Sequence, residues 1–207
     1  MRRAPAIATT ASLLLAIALI GCPKPAPPPL APAPSPAPLP PIVEPSACGR
    51  AVRVVVSKAE RRATIECSAG GRVVFPIALS RDRGPKRAEG DHRMPEGEYA
   101  IAGRARKSRF HLFVPIDYPS RADAERALAE HRIDRATFDA IAQAHAERRM
   151  PPQDTPLGGA LGLHGEGARW RGELDLNWTE GCVALSDRAI EQLAKLVRRG
   201  TPVRIDP

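Results

Sequence analysis

Aromatic residues are scarce in this chain, with two Trp, two Tyr and four Phe in 207 residues. Lys and Arg outnumber Asp and Glu by 31 to 23, a formal charge of +8. Yet the arginines are scattered, and no basic run is interleaved with aromatics, the combination that gripping and stacking nucleic acid requires. Nucleic acid is therefore not expected as a partner, and the positive charge reads as a solvated surface with a mild leaning toward anionic polymers. Histidine is limited to five residues, no two of them at metal-ligand spacing. Cys67 has no Cys-x-x-Cys partner, so neither a zinc site nor another cofactor is expected. No apolar run reaches the ~20 residues of a permanent membrane-spanning helix, and no internal repeat is visible.

What is present begins with an export pattern. Met1-Arg2-Arg3 is basic, and Ala11 to Ile20 is a short apolar run that closes in Leu19-Ile20-Gly21-Cys22. The run has signal-peptide length, and its last four residues resemble a bacterial lipobox. Residues 1–21 are thus expected to be a lipoprotein signal peptide, leaving Cys22 as a lipidated N-terminus. The expected location is periplasmic, anchored to a membrane, and the outer membrane is favoured because Pro23 is not the aspartate that signals inner-membrane retention in some bacteria. Residues 22–46 form the linker of this reading, and half of residues 23–46 are proline. Proline fixes φ and lacks an N–H, so the segment should build neither helix nor sheet and should act as a polyproline II spacer. It would reach about 70 Å at about 3.1 Å per residue.

Residues 47–207 suffice for one domain with a real core. β-Branched runs at 50–57 and 61–68, and a third run at 71–80, predict strands, with a charged Gly/Pro loop over 81–98. Further strands are expected at 99–105 and 109–116, with Phe110, Leu112 and Val114 on one face. Between 121 and 149 the pattern turns helical, with Asp134 as an N-cap and Phe138, Ile141 and Ala142 on one stripe. Short strands follow at 158–164 and 182–185. Ser186 caps a helix that buries Ile190, Leu193 and Val197 and stops at Gly200, and Pro202 to Ile205 closes the chain. The fold class is mainly β with a few peripheral helices.

Cysteine parity points to chemistry. With Cys22 lipidated, Cys48, Cys67 and Cys182 remain. Cys48 and Cys67 flank the first hairpin, and an oxidising compartment favours a bridge between them. Cys182 is then the thiol left over. His164 ends an apolar strand, Cys182 begins the next, and a polar loop carrying Trp170 and Trp178 joins them. An imidazolium beside the thiol would lower its pKa and populate the reactive thiolate. Taken by spacing alone, a His and a Cys eighteen residues apart are a weak signal, and a buried structural cysteine is the commoner case.

The local sequence says more. Leu163-His164-Gly165, followed by Thr179-Glu180-Gly181-Cys182-Val183-Ala184-Leu185, resembles the catalytic domain of the L,D-transpeptidases, the YkuD type. "EGDHRMPEGEYAI" (89–101) is similar to that family's turn and strand. "SRFHLFVPIDYPSRADAERA" (108–127), "PPQDTPLGGALGLHG" (151–165) and "GTPVRI" (200–205) resemble its murein branch. The likeness covers about residues 50–206, with the helix around 134–149 as an insertion.

The resemblance implies a β-sandwich of mixed sheets and an acyltransferase acting on peptidoglycan stem peptides through a thioester at Cys182. His164 would be general base and then acid. Gly165 would hold the imidazole through its carbonyl, and Gly181 would admit an oxyanion hole at the Cys182 N–H. Asn177, Trp178, Thr179 and Glu180 would contact substrate. Three positions depart from the family pattern: Glu180 where His is common, Ala184 where Arg is common, and Asn177 where Asp is common. Hydrolysis of the same bond, or detachment of a wall-linked lipoprotein, would use the same residues. A silent wall-binding lipoprotein would keep the fold without the chemistry. His92 and His111 are assigned to turn and core packing, His131 and His145 to the solvated insert, and Tyr99 and Pro95 to scaffold.

Overall fold

Period-two alternation in the first β-branched runs becomes a sheet with one buried face. The computed structural model describes residues 39–169 and 177–207. There β1 (Ala51–Ser57), β2 (Arg62–Cys67) and β3 (Arg72–Pro76) form an antiparallel meander, Val54 opposite Ile65 and Ala63 opposite Phe75. The chain's last strand, β9 (Pro202–Asp206), enters parallel to β1 and is flanked by β4 (Gly97–Ala100), giving the order β3-β2-β1-β9-β4. Val54, Val56, Ile65, Val203 and Ile205 all point into the core.

A second mixed sheet carries β5 (Arg106–Ser108), β6 (His111–Pro115), β7 (Gly162–His164) and β8 (Val183–Ala184) in that order, with β7 and β8 parallel. Three α-helices complete the described residues: α1 (Arg121–Ala129), α2 (Arg135–Ala146) and α3 (Asp187–Leu196). The two mixed sheets and few helices match the mainly β class expected. One apolar core runs between them, from Val54 and Ile65 to Leu163, Ile190 and Leu193.

The caps fall where the sequence places them. Ser186 accepts from the Ala189 N–H at 3.2 Å and Asp134 from the Thr137 N–H at 2.8 Å, each relieving one orphan donor of a helix start. Four details differ. Helix α3 ends at Leu196 with Val197 already extended, and Gly200 (φ +84°) instead forms the turn into β9, its N–H donating to the Ile101 carbonyl. Phe110 is not in a strand with Leu112 and Val114; it occupies the β5–β6 turn, where His111 takes φ +68° and breaks the alternation. His111 holds the turn position expected but not the core packing, since its ring lies at the surface 2.8 Å from Glu191, and His145, expected to be solvated, is half-buried 2.8 Å from the Pro119 carbonyl. The end of the proline-rich segment does join a sheet: Ile42 bridges Arg72, and the Arg72 N–H donates to the Pro41 carbonyl at 2.8 Å. Pro41 needs no N–H for this, because it only accepts.

Cys48 and Cys67 are bonded, their Cα atoms 4.8 Å apart, tying the turn before β1 to the end of β2 across 19 residues. A closed loop of that size restricts the unfolded chain by an amount worth about 3 kcal/mol. The double variant Cys48→Ser/Cys67→Ser should therefore lose about 3 kcal/mol in equilibrium denaturant unfolding, and a loss below about 1 kcal/mol would show that the bridge adds little.

Candidate active site

The parallel ladder of β7 and β8 places His164 opposite Ala184 and Leu163 opposite Val183. Alternate residues of a pleated strand share a face, so Cys182, two positions before Ala184, falls on the side that His164 occupies. Both residues line one cavity of about 640 Å³. The bridges Ala78 to Ala184 and Ser80 to Thr179 fasten the cysteine loop to the segment after β3. Within that loop the Thr179 hydroxyl donates to the Cys182 carbonyl at 2.6 Å.

Two glycines answer to steric demands. Gly181 has φ +128°, and a Cβ there would lie 2.8 Å from the Arg93 carbonyl oxygen. A Cβ on Gly165 would lie 2.5 Å from Asp187 Oδ1 and 2.7 Å from the Phe110 carbonyl oxygen. Only glycine fits either place without moving backbone.

The His164 ring is 2 % exposed. Phe110 stacks on it at 4.4 Å between centroids, and Trp178 meets it edge-on at 5.5 Å. Nδ1 is hydrogen-bonded to the Gly165 carbonyl. A carbonyl can only accept, so Nδ1 carries the proton and Nε2 presents a lone pair. Burial pulls the imidazole below its ordinary pKa and nearby Arg109 adds to this, against the opposing effect of the Gly165 carbonyl.

Cys182 is partly buried, and its thiol donates to the Ala160 carbonyl at 3.8 Å. Desolvation pushes the thiol up to about 11; the Gly162 N–H and the Lys86 charge favour the thiolate, and Glu180 opposes it. The thiolate–imidazolium pair expected from the sequence is therefore not the resting state. Burial is the largest influence on each partner and disfavours its charged form, so both shifts favour thiol and neutral imidazole.

The other expected site residues divide. Trp178, Thr179 and Glu180 line the cavity; Glu180 is exposed and 3.7 Å from Arg81, another lining residue. Asn177 does not line it. Its side chain accepts from Arg61 at 2.8 Å and borders a separate depression with Lys58 and Asp82. Cys22 and Trp170 lie outside the described residues.

Arg81, Arg109, Phe110 and Glu166 are among the cavity residues that escaped the sequence reading. Arg109 lies over the Phe110 ring at 4.7 Å. Glu166 is 1 % exposed, and neither carboxylate oxygen has a hydrogen-bonding partner. Its backbone N–H and that of Gly167 both donate to Asp187 Oδ1, at 2.9 and 3.0 Å. Burial first, and then the Asp187 charge, raise its pKa to about 8. The available signal was an acidic residue set between two glycines directly after an apolar strand.

Comparison with known proteins gives a family. The model of the YkuD family, the L,D-transpeptidase catalytic domain, matches residues 51–205. No curated protein matches. Among solved structures, a variant of the helical cell shape determining protein Pgp2 from Campylobacter jejuni shares 19% identity at a TM-score of 0.50, over 73% of this chain and 45% of that one. Bd1075 of Bdellovibrio bacteriovorus shares 17% at 0.47, over 77% and 49%. L,D-transpeptidase 1 of Mycobacterium tuberculosis shares 12% at 0.40, over 74% and 60%. At 19% identity the likeness to the Pgp2 variant is one of fold, and this chain spans less than two thirds of the length of each of these three proteins.

Two outcomes follow from the electrostatics. Alkylation of Cys182 by iodoacetamide, read by peptide mapping, should keep accelerating with pH beyond pH 9; a rate plateau at pH 6–7 would reveal a preformed thiolate. Glu166 has a folded pKa near 8, above the ~4.3 of an unfolded glutamate. Its contribution to stability is therefore fully present below about pH 4 and is lost as pH rises through about 8. Glu166→Gln should leave the thermal midpoint nearly unchanged at pH 4 and raise it at pH 9, and a midpoint difference that does not vary with pH would contradict this.

Proposed function

The chain belongs to the L,D-transpeptidase catalytic-domain family, and from that premise we propose that it is a cysteine-dependent acyltransferase acting on peptidoglycan stem peptides. The observation that carries the reading is the shared cavity of Cys182 and His164, with His164 Nδ1 engaged by the Gly165 carbonyl. That hydrogen bond leaves Nε2 as the ring's basic atom, the one a general base needs.

In this reading the Cys182 sulfur attacks the carbonyl of the third stem residue as His164 Nε2 takes the thiol proton. Because both groups rest uncharged, the thiol proton has to reach Nε2 before or during the attack. The tetrahedral oxyanion accepts a hydrogen bond from the Cys182 N–H, a contribution of about 3 kcal/mol. The C–N bond to the fourth residue, D-Ala, then breaks, and the imidazolium returns its proton to the departing amine. An acceptor amine attacks the resulting thioester, His164 takes its proton, and the sulfur leaves to be reprotonated. Trp178, Thr179 and Glu180 supply walls of the cleft. Water in place of the amine would give a carboxypeptidase with the same residues.

A raised thiol is equally what a silent wall-binding protein of this fold would show. The oriented, ring-stacked imidazole favours catalysis, since a binder has no use for a fixed tautomer. The N-terminal segment completes the proposal: a signal peptide over 1–21, a lipid anchor at Cys22, a linker to residue 46 and a periplasmic domain over 47–207.

Incubation with purified tetrapeptide muropeptides, followed by mass spectrometry, tests the reading. A crosslinked dimer is expected, bare tripeptide would assign the hydrolase, and Cys182→Ala should yield neither. Full conversion by that variant, or none by the unaltered protein, would end it.

A further inference from the structure

Glu166 is the one buried acid of the cavity that the proposed chemistry leaves unused. It follows His164 by two residues and contributes to the same wall. Its backbone is fixed from two sides: the Gly165 N–H donates to the Leu112 carbonyl at 3.0 Å, while Asp187 takes the N–H groups of Glu166 and Gly167. These bonds fix the loop, and Glu166 is buried in the cavity wall. Nevertheless both carboxylate oxygens lack a partner. A buried acceptor left unsatisfied costs stability, and Gln or an apolar residue would relieve the burden of a buried charge. An unpaired buried group of this kind calls for an explanation, and in a cleft a partner arriving with the ligand supplies one.

The surroundings specify that partner's charge. Asp187 is close enough to raise the Glu166 pKa, and neither Arg81 nor Arg109 forms an ion pair with it. An arriving anion would meet the Asp187 charge and would gain nothing from ionisation of Glu166. A metal ion is poorly matched, because the described residues contain no group of three His, Cys, Asp or Glu side chains able to hold one. A primary ammonium brings three N–H donors to two unpaired oxygens; the Glu166 side chain must turn into the cavity to meet them, and the resulting charge-assisted bonds form away from bulk water.

Building on the acyltransferase reading, we propose that Glu166 is a specificity residue of this active site, binding the side-chain ammonium of the third stem-peptide residue. Its carboxyl is protonated in the free protein at neutral pH. Capturing the ammonium therefore releases one proton from the carboxyl to solvent, leaving a carboxylate–ammonium pair.

Calorimetric titration of the full chain in a Cys182→Ala background, which prevents turnover, tests this with two probes. One is a stem tetrapeptide whose third residue carries a free side-chain amine; the other is the same peptide acetylated there. With Glu166 present, acetylation should weaken binding at least tenfold. Binding of the free-amine peptide at pH 7 should release about one proton, read from the dependence of heat on buffer ionisation. Glu166→Gln should abolish both the proton release and the discrimination. Tight binding of both peptides with no discrimination, or discrimination that survives Glu166→Gln, overturns the assignment while leaving the acyltransferase reading intact. Failure of the folded protein to bind either peptide overturns both. If Glu166→Gln does not fold, the acetylation and proton-release measurements on the Glu166 protein still decide.

Discussion

Two short parallel strands, β7 and β8, hold this molecule's site together. Parallel neighbours cannot be joined by a tight turn; the chain must leave the sheet and return. Here the return brings Trp178, Thr179 and Glu180 to the cavity before Cys182 arrives beside the strand that ends in His164. Register then does the positioning. A slip of one residue would turn Cys182 to the opposite face of the sheet. The register is pinned from both sides, by the Ala78–Ala184 bridge and by α3, which follows at once and packs Ile190 and Leu193 into the core.

The same enclosure sets the charge state of the site. Burial moves His164 down, Cys182 up and Glu166 up, so three titratable groups are each biased toward neutrality. A neutral resting site gains nothing from preformed ions. In return, charge that develops during a reaction is poorly screened, and fixed donors such as a backbone N–H act on it strongly.

Much of this was legible along the chain. β-Branched alternation located β1 and β2, and Ser186 and Asp134 marked helix starts because a cap is a local event within four residues. His164 and Cys182 stood out through their glycine neighbours, whose need is steric and equally local. What escaped depends on distant partners. Phe110 is a core residue by pattern, and only the β5–β6 turn reveals it as the face that stacks on His164. Asn177 sits next to a cavity residue, but Arg61, 116 positions away, holds it outside. The neutral state of the Cys–His pair reflects desolvation, which depends on how densely the surroundings close and leaves no signature in spacing. Glu166 was missed for a like reason: an acid in a glycine-rich loop reads as solvated until the fold buries it.

The bridge between Ile42 and Arg72 bears on self-association. β3 is an outer strand of its sheet, and an outer strand offers unpaired backbone groups on which another copy can add a strand. Here residues 41–43 take up the N–H and the carbonyl of Arg72. Pro40 and Pro41, which have no N–H to give, precede Ile42 in the segment that a further strand would meet. The last residues of the proline-rich stretch thereby cover part of that border, where a strand added by another copy would meet proline in place of open N–H groups.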